Sequence, residues 1–341
     1  MKDFTMVIPS YWGRPGGGRI EGAETGKITF DHPTALNEEG TLGRLIESLD
    51  LLGPFTGTVV IIAVADEREI APQVEEKIAG IVAPYKSRYD IRVLGQSAVD
   101  KINARLEAAG APAEALAMVN LENYAAVRNI CSLAGVLNSS AWTVFIDDDE
   151  VFTDPNFLEK IQHNMGRRYG GDTVRAIAGY YLQPDTYRLD ETGVPDWRRP
   201  YWNNAAAMNE AFELIIGRGE RLKPTPFVFG GNMALSLDAL KKVPFDPRIT
   251  RGEDIDFLLN LRINGITFYL DRELAIKHLP PGSQQEAWKK LREDTVRFLY
   301  ERKKVLDHPQ VLKLIDLEPY PAFFLGDDLD ERIIKTCELL K

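Results

Sequence analysis

The sequence has only two cysteines in 341 residues, Cys131 and Cys337, and four histidines. Two cysteines so far apart make neither a disulfide framework nor a metal knuckle, and they suit a reducing cytoplasm. No apolar run reaches membrane-spanning length, so no membrane span is expected. The first ten residues, MKDFTMVIPS, lack the apolar stretch of a secretory signal. Basic residues are in the minority, 41 against 51 acidic, for a formal net charge of −10. That balance argues against nucleic acid as a partner. It still allows a small phosphorylated ligand held by local cations and a metal. Neither GxxxxGK[ST] nor GxGxxG occurs, so the familiar glycine-rich phosphate loops are missing. What the chain does have is 44% hydrophobic residues, enough for an ordinary globular core.

The first half alternates. Strands are predicted over 4–9, ended by Pro9, and over 58–65, 89–94 and 143–146. Helices are predicted over 38–52, 73–82, 102–117 with a break at 110–112, and 122–137. This alternation is that of a doubly wound α/β sheet. Residues 10–34, with Gly16-Gly17-Gly18, form a long loop, and loops of that length are usually functional or mobile. The second half is less regular. Helices are predicted over 155–165, 237–242, 252–262 and 284–306, and strands over 174–182, 226–235, 266–270 and 274–278. Gly230-Gly231 interrupts one strand, which suggests a bulge or the close approach of a ligand. Between 185 and 204 lie Tyr187, Trp197, Tyr201 and Trp202, rings that stack on sugar faces or fill a loop core.

The run Val144-Phe145-Ile146 leads straight into Asp147-Asp148-Asp149-Glu150. A buried strand thus ends in four carboxylates, at the end of the sheet where open α/β folds place ligands. Adjacent carboxylates repel unless a cation joins them, and hard divalent cations prefer oxygen ligands. The competing reading is a solvated acidic turn before a helix opened by Asp154-Pro155.

Five features in order resemble the GT-A fold glycosyltransferases that use nucleotide-diphospho-sugars, in a family-two-like form. They are Val7-Ile8-Pro9-Ser10-Tyr11, Val64-Ala65-Asp66, and Tyr124 through Arg128-Asn129. Phe145-Ile146-Asp147-Asp148-Asp149, like an Asp-x-Asp motif, comes next. Last are Gly231 to Ala234 and then Gly252-Glu253-Asp254. The resemblance implies an α/β GT-A fold with a Rossmann-like, mostly parallel central sheet flanked by helices. It implies a domain over 1–280, with a nucleotide-sugar half (1–150) and an acceptor half (151–280). A C-terminal helical extension follows over 281–341. It further implies a hexosyl transfer to a hydroxyl acceptor (a sugar, a glycerate-like molecule or a glycan) with Mn2+ or Mg2+ as cofactor. Oligomers are compatible with all of this. Asp149 and His278 would ligate the metal. Pro9, Tyr11, Asp66, Arg128, Asp147 and Asp148 would bind the donor. Gly231, Asn232 and Trp202 would meet the acceptor. Asp254, with Glu253, would be the catalytic base of an inverting reaction, which is favoured over a retaining one. Three alternatives stay open at the residue level. Arg128 either offsets the acidic run or touches the diphosphate. His278 is either a ligand or structural. Glu253-Asp254 is either catalytic or a complement to a helix dipole. Two other functions remain as rivals: a sugar-phosphate nucleotidyltransferase, echoed by Arg14 and Arg19 around the glycines, and a non-catalytic nucleotide-sugar-binding module.

Overall fold

The computed structural model describes residues 4–15, 30, 33–249, 251–281 and 286–341. The glycine-rich run at 16–18, Arg19 and Thr250 lie outside the described residues. In chain order the strands are β1 (Phe4–Gly13), β2 (Thr34–Ala35), β3 (Thr58–Ala65), β4 (Asp90–Leu94), β5 (Trp142–Phe145) and β6 (Glu150–Val151). There follow β7 (Arg168–Tyr169), β8 (Asp172–Thr173), β9 (Ala176–Leu182), β10 (Leu222–Pro224), β11 (Met233–Ser236) and β12 (Phe268–His278). The helices are α1 (Leu42–Ser48), α2 (Ala71–Val82), α3 (Gln96–Ala108), α4 (Ala113–Leu116), α5 (Tyr124–Leu137) and α6 (Phe157–Asn164). The later ones are α7 (Asn204–Ile215), α8 (Leu237–Lys242), α9 (Glu253–Ile263), α10 (Ala287–Asp307) and α11 (Leu329–Leu340).

The main sheet runs β10-β12-β9-β11-β5-β1-β3-β4. From β5 to β4 every pairing is parallel, and β9 with β12 is parallel too. β11 is antiparallel to both of its neighbours. From β1 the chain goes to β3 and β4 on one side, then returns to place β5 on the other. The crevice outside the carboxyl ends of β1 and β5 is therefore the switch point, where such sheets bind ligands.

Alternation along the strands feeds two cores. Val7, Val60, Ile62 and Phe145 face one side, toward α5, α8 and α9. Met6, Ile8, Val59 and Ile61 face the other, toward α1, α2 and α6. Leu291, Phe298, Val305, Phe324 and Leu329 join the first core. The C-terminal extension is thus packed onto the sheet domain.

Several expectations need correction. β1 does not stop at Pro9. Val7 accepts a hydrogen bond from the Ile146 amide at 3.1 Å, and pairing to β5 ends there. Pro9, two residues on, turns its nitrogen to the same side, where no β5 partner remains. The strand expected over 226–235 is irregular until Met233. The Asn232 amide donates to Phe229 O at 2.9 Å and closes a turn around the two glycines. The strands expected over 266–270 and 274–278 are one strand, β12, with a register shift between Leu270 and Ala275. α7 lies in a stretch for which the sequence suggested no element.

Candidate active site

After β5 the chain turns through Asp147-Asp148-Asp149 and enters β6. β6 pairs with the end of β12, with His278 opposite Glu150. The Leu279 amide closes the ladder on Asp149 O at 2.9 Å. This short ladder delivers His278 to the acidic turn, with Nε2 3.3 Å from Asp149 Oδ2. The imidazole stacks on Tyr181, centroids 4.5 Å apart, and its Nδ1 lies 3.1 Å from Gln183 Nε2. A partner on the second ring nitrogen sets the tautomer that the first presents.

The four carboxylates meet four environments. Asp147 faces the Arg128 guanidinium fork, with Nη1–Oδ1 at 2.8 Å and Nη2–Oδ2 at 3.1 Å. Arg128 is buried, and its Nε also lies 3.4 Å from Glu253 Oε1. Burial works against its charge, but Asp147 and Glu253 hold it protonated. Asp148 turns inward and accepts from Ser10 Oγ at 2.6 Å, and Ser10 accepts from Trp12 Nε1 at 2.9 Å. Burial pushes Asp148 up to about 7 against the pull of Ser10. Glu150 is fully buried and accepts from the Asp147 amide at 3.2 Å. Burial, then the neighbouring Asp147, push it well above the ordinary glutamate value. Asp149 is left facing His278.

Gly231 is a glycine for a steric reason. A Cβ there would stand 2.2 Å from Glu150 Oε1 and 2.5 Å from Asp147 Oδ2. Its amide donates to Tyr181 Oη at 2.8 Å. The Gly230 amide donates to Asp254 Oδ2 at 3.2 Å, which ties the glycine turn to the start of α9. Gly252, at φ 71°, lets the chain enter that helix. Asp254 Oδ1 accepts the Ile255 amide at 2.8 Å. Burial raises Asp254, and burial with the adjacent Asp254 charge raises Glu253 to about 7. Asp254, Gln183 and His278 open onto one cleft of about 750 Å³.

The remaining residues divide. Tyr11 packs with Phe30 and Tyr124, centroids 4.6 and 5.4 Å away, at the end of β1. The Asp66 amide donates to Trp12 O at 2.8 Å, so Asp66 sits beside that end. Asn232, expected at the acceptor, is fully buried. Its amide donates to Tyr180 O at 3.0 Å and Leu274 O at 3.1 Å, bridging the register shift of β12. Trp202, also expected there, is fully buried against Phe298 and Phe324 and stands in the wall of the Asp254 cleft. Sequence reasoning missed Ser10, Tyr181, Gln183 and Arg44, whose Nη2 donates to Leu279 O at 3.0 Å. No spacing marks Gln183 or Arg44, because each reaches the turn from a distant part of the chain.

Among the described residues no group of three His, Cys, Asp or Glu side chains is arranged to hold a metal. Asp149 and His278 supply two donors. Two protein donors fit a hard cation whose remaining ligands are phosphate oxygens and water. Among the described residues no helix is long and apolar enough to cross a membrane.

No protein-family model and no curated protein matches the chain. Among solved structures, the mannosyltransferase PcManGT from Pyrobaculum calidifontis, in complex with GDP-Man and Mn2+, superposes with a TM-score of 0.54. Its identity is 11% over 99% of this chain and 74% of that one. Glucosyl-3-phosphoglycerate synthase from Mycobacterium tuberculosis, with Mn2+ and UDP-glucose, gives 0.45 at 13% identity over 87% and 77%. GalNAc-T7 with UDP, GalNAc and Mn2+ gives 0.46 at 13% identity over 99% and 54%. The mannosyltransferase shows that the fold is GT-A, a mixed α/β sheet flanked by helices.

Proposed function

We propose that this GT-A chain is a glycosyltransferase. It moves a sugar from a nucleotide-diphospho-sugar to a hydroxyl acceptor, with Mn2+ or Mg2+ held by Asp149 and His278. One observation carries this reading. The Asp149–His278 pair, 3.3 Å apart, stands at the switch point, and His278 and Asp254 line the same cleft. When bound, the cation supplies Lewis acidity toward the leaving diphosphate. Tyr11, Pro9 and Asp66, grouped at the ends of β1 and β3, hold the nucleoside. Arg128 keeps Asp147 fixed, and Asp148 locks the turn to Ser10. Burial disfavours the charged form of Glu150, which lessens repulsion of the diphosphate. Gly231 lets the backbone approach the acidic turn without a side chain in the way.

Asp254 accepts the proton of the acceptor hydroxyl. Its raised pKa brings it nearer the working pH, which a general base requires. Such a base implies inversion at the anomeric carbon. In a retaining enzyme the Glu253-Asp254 pair would instead hold the acceptor. A nucleotidyltransferase would need a basic glycine loop at work after β1, and a binding module would show no turnover.

Asp254→Asn tests the assignment. Donor binding should persist while turnover falls by about two to four decades. In the parent, kcat/KM should rise with pH through a limb above the usual carboxylate range near 3.9. That limb should vanish in the variant, and the product's anomeric proton coupling should be opposite to the donor's. Near-normal turnover in the variant, or a product that keeps the donor's configuration, removes Asp254 from this role.

A further inference from the structure

We propose that the acceptor carries a carboxylate or a phosphate, recognised by arginines in the wall of the Asp254 cleft. This rests on the glycosyl-transfer reading and narrows its acceptor. The chain as a whole has 41 basic and 51 acidic residues. The cleft reverses that order: Arg198, Arg251, Lys290 and Arg297 line it with Asp190, Asp254 and Asp294.

The three arginines come from three segments and share one carboxylate. Arg198 Nη2 lies 3.3 Å from Asp294 Oδ2, while Arg297 Nη2 and Arg251 Nε lie 3.7 and 3.8 Å from Oδ1. Asn204 Nδ2 donates to the same group at 2.8 Å. Two of the three guanidinium contacts exceed hydrogen-bond length. Arg251 also pairs with Glu293 at 3.4 Å, and Arg297 donates to Tyr320 Oη at 3.0 Å. Glu301, 3.9 Å from Arg297 Nε, is pushed up to about 8 by burial and adds little negative charge at pH 7.

The side chains of Arg198, Arg297 and Asp294 are 11%, 8% and 6% exposed. Cationic charge held this far from water is costly unless an anion meets it. The planar arginine fork matches the paired oxygens of carboxylate and phosphate. A neutral sugar brings no paired anionic oxygens to these forks. A hydroxylated anion fills them and turns its hydroxyl toward Asp254. The wall includes α10, so the C-terminal extension takes part in choosing the acceptor.

The test is calorimetric titration of the full chain saturated with uridine or guanosine diphosphate and Mg2+. The probes are glycerol, glycerol 3-phosphate, glycerate, glucose and glucose 6-phosphate. At least one charged probe should bind saturably, about tenfold or more tighter than its neutral counterpart, a gap of about 1.4 kcal/mol. Arg251→Gln, at a side chain 29% exposed, should erase that gap and leave diphosphate affinity within about twofold. Arg198→Lys keeps the charge but loses the fork, and should fall between. Equal binding of charged and neutral probes, or no binding by any, overturns the proposal. So does a loss in Arg251→Gln that falls on the diphosphate. Absence of Mg2+-dependent diphosphate affinity in the parent would instead strike the glycosyl-transfer reading, because that quantity is measured before any probe is added.

Discussion

Asp147, Asp148, Asp149 and Glu150 are alike in formula and unlike in place. One is paired with Arg128, one is bonded to Ser10, one faces His278 and one is buried with its pKa raised. The acidic run was legible in the sequence. Its division of labour was not, because each role is set by a partner from another segment. The same holds for Asn232 and Trp202. Asn232 lies inside a motif in sequence, yet burial commits it to the sheet, and Trp202 packs in an aromatic cluster at the cleft wall. Burial without a hydrogen-bond partner has a measurable consequence at Glu301. Both of its carboxyl oxygens lack a hydrogen-bond partner, and burial pushes it up to about 8. Between the ordinary glutamate value near 4.3 and about 8, the folded chain holds a proton that the unfolded chain has released. Stability from this group therefore falls as pH rises through that window. Glu301→Gln has no such proton to lose. Its melting temperature should exceed the parent's by several degrees at about pH 8.5 and by little at about pH 5. Equal shifts at both pH values would contradict this account of Glu301.

At the scale of elements, hydrophobic pattern succeeded where one element decides its own burial. The eight-residue strand Thr58–Ala65 has the limits expected of it, because its apolar β-branched run is covered on both faces. Pattern failed where tertiary packing decides. Phe227, Val228 and Phe229 look like strand, but Phe227 and Phe229 pack on Phe212 instead, and the glycine turn follows them. α7 did carry a signal. Asn203 Oδ1 caps it by accepting the Ala206 amide at 3.1 Å, and Ala207, Ala211 and Phe212 follow at helical spacing. The element that matters most for chemistry is the shortest, the two-residue ladder between β6 and β12. It depends on main-chain bonds, so His278→Ala should leave it folded. That variant should lose about tenfold or more in Mn2+ affinity, as when a ligand is removed, with little change in the metal-free melting temperature. A lower melting temperature with intact metal affinity would make His278 a structural residue.

Across the whole molecule, the sheet was foreseeable and the enclosure of the cleft was not. Alternating strands and helices pointed to an open α/β sheet with an acidic mouth. Nothing in the charged helix near the C-terminus signalled that Arg297 and Asp294 would be buried beside α9, because both faces of that helix carry charge. The extension lines one side of the cleft, while Tyr181 of β9, Gln183 and His278 of β12 line another. The central claim is that this mouth binds a nucleotide diphosphate through a metal. It is tested most directly by the melting temperature of parent and Asp149→Ala with uridine or guanosine diphosphate, with and without Mn2+. The parent should be stabilised by one of the nucleotides only when Mn2+ is present. Asp149→Ala should lose that stabilisation while melting near the parent on its own. Unchanged metal-dependent stabilisation in the variant would contradict the account.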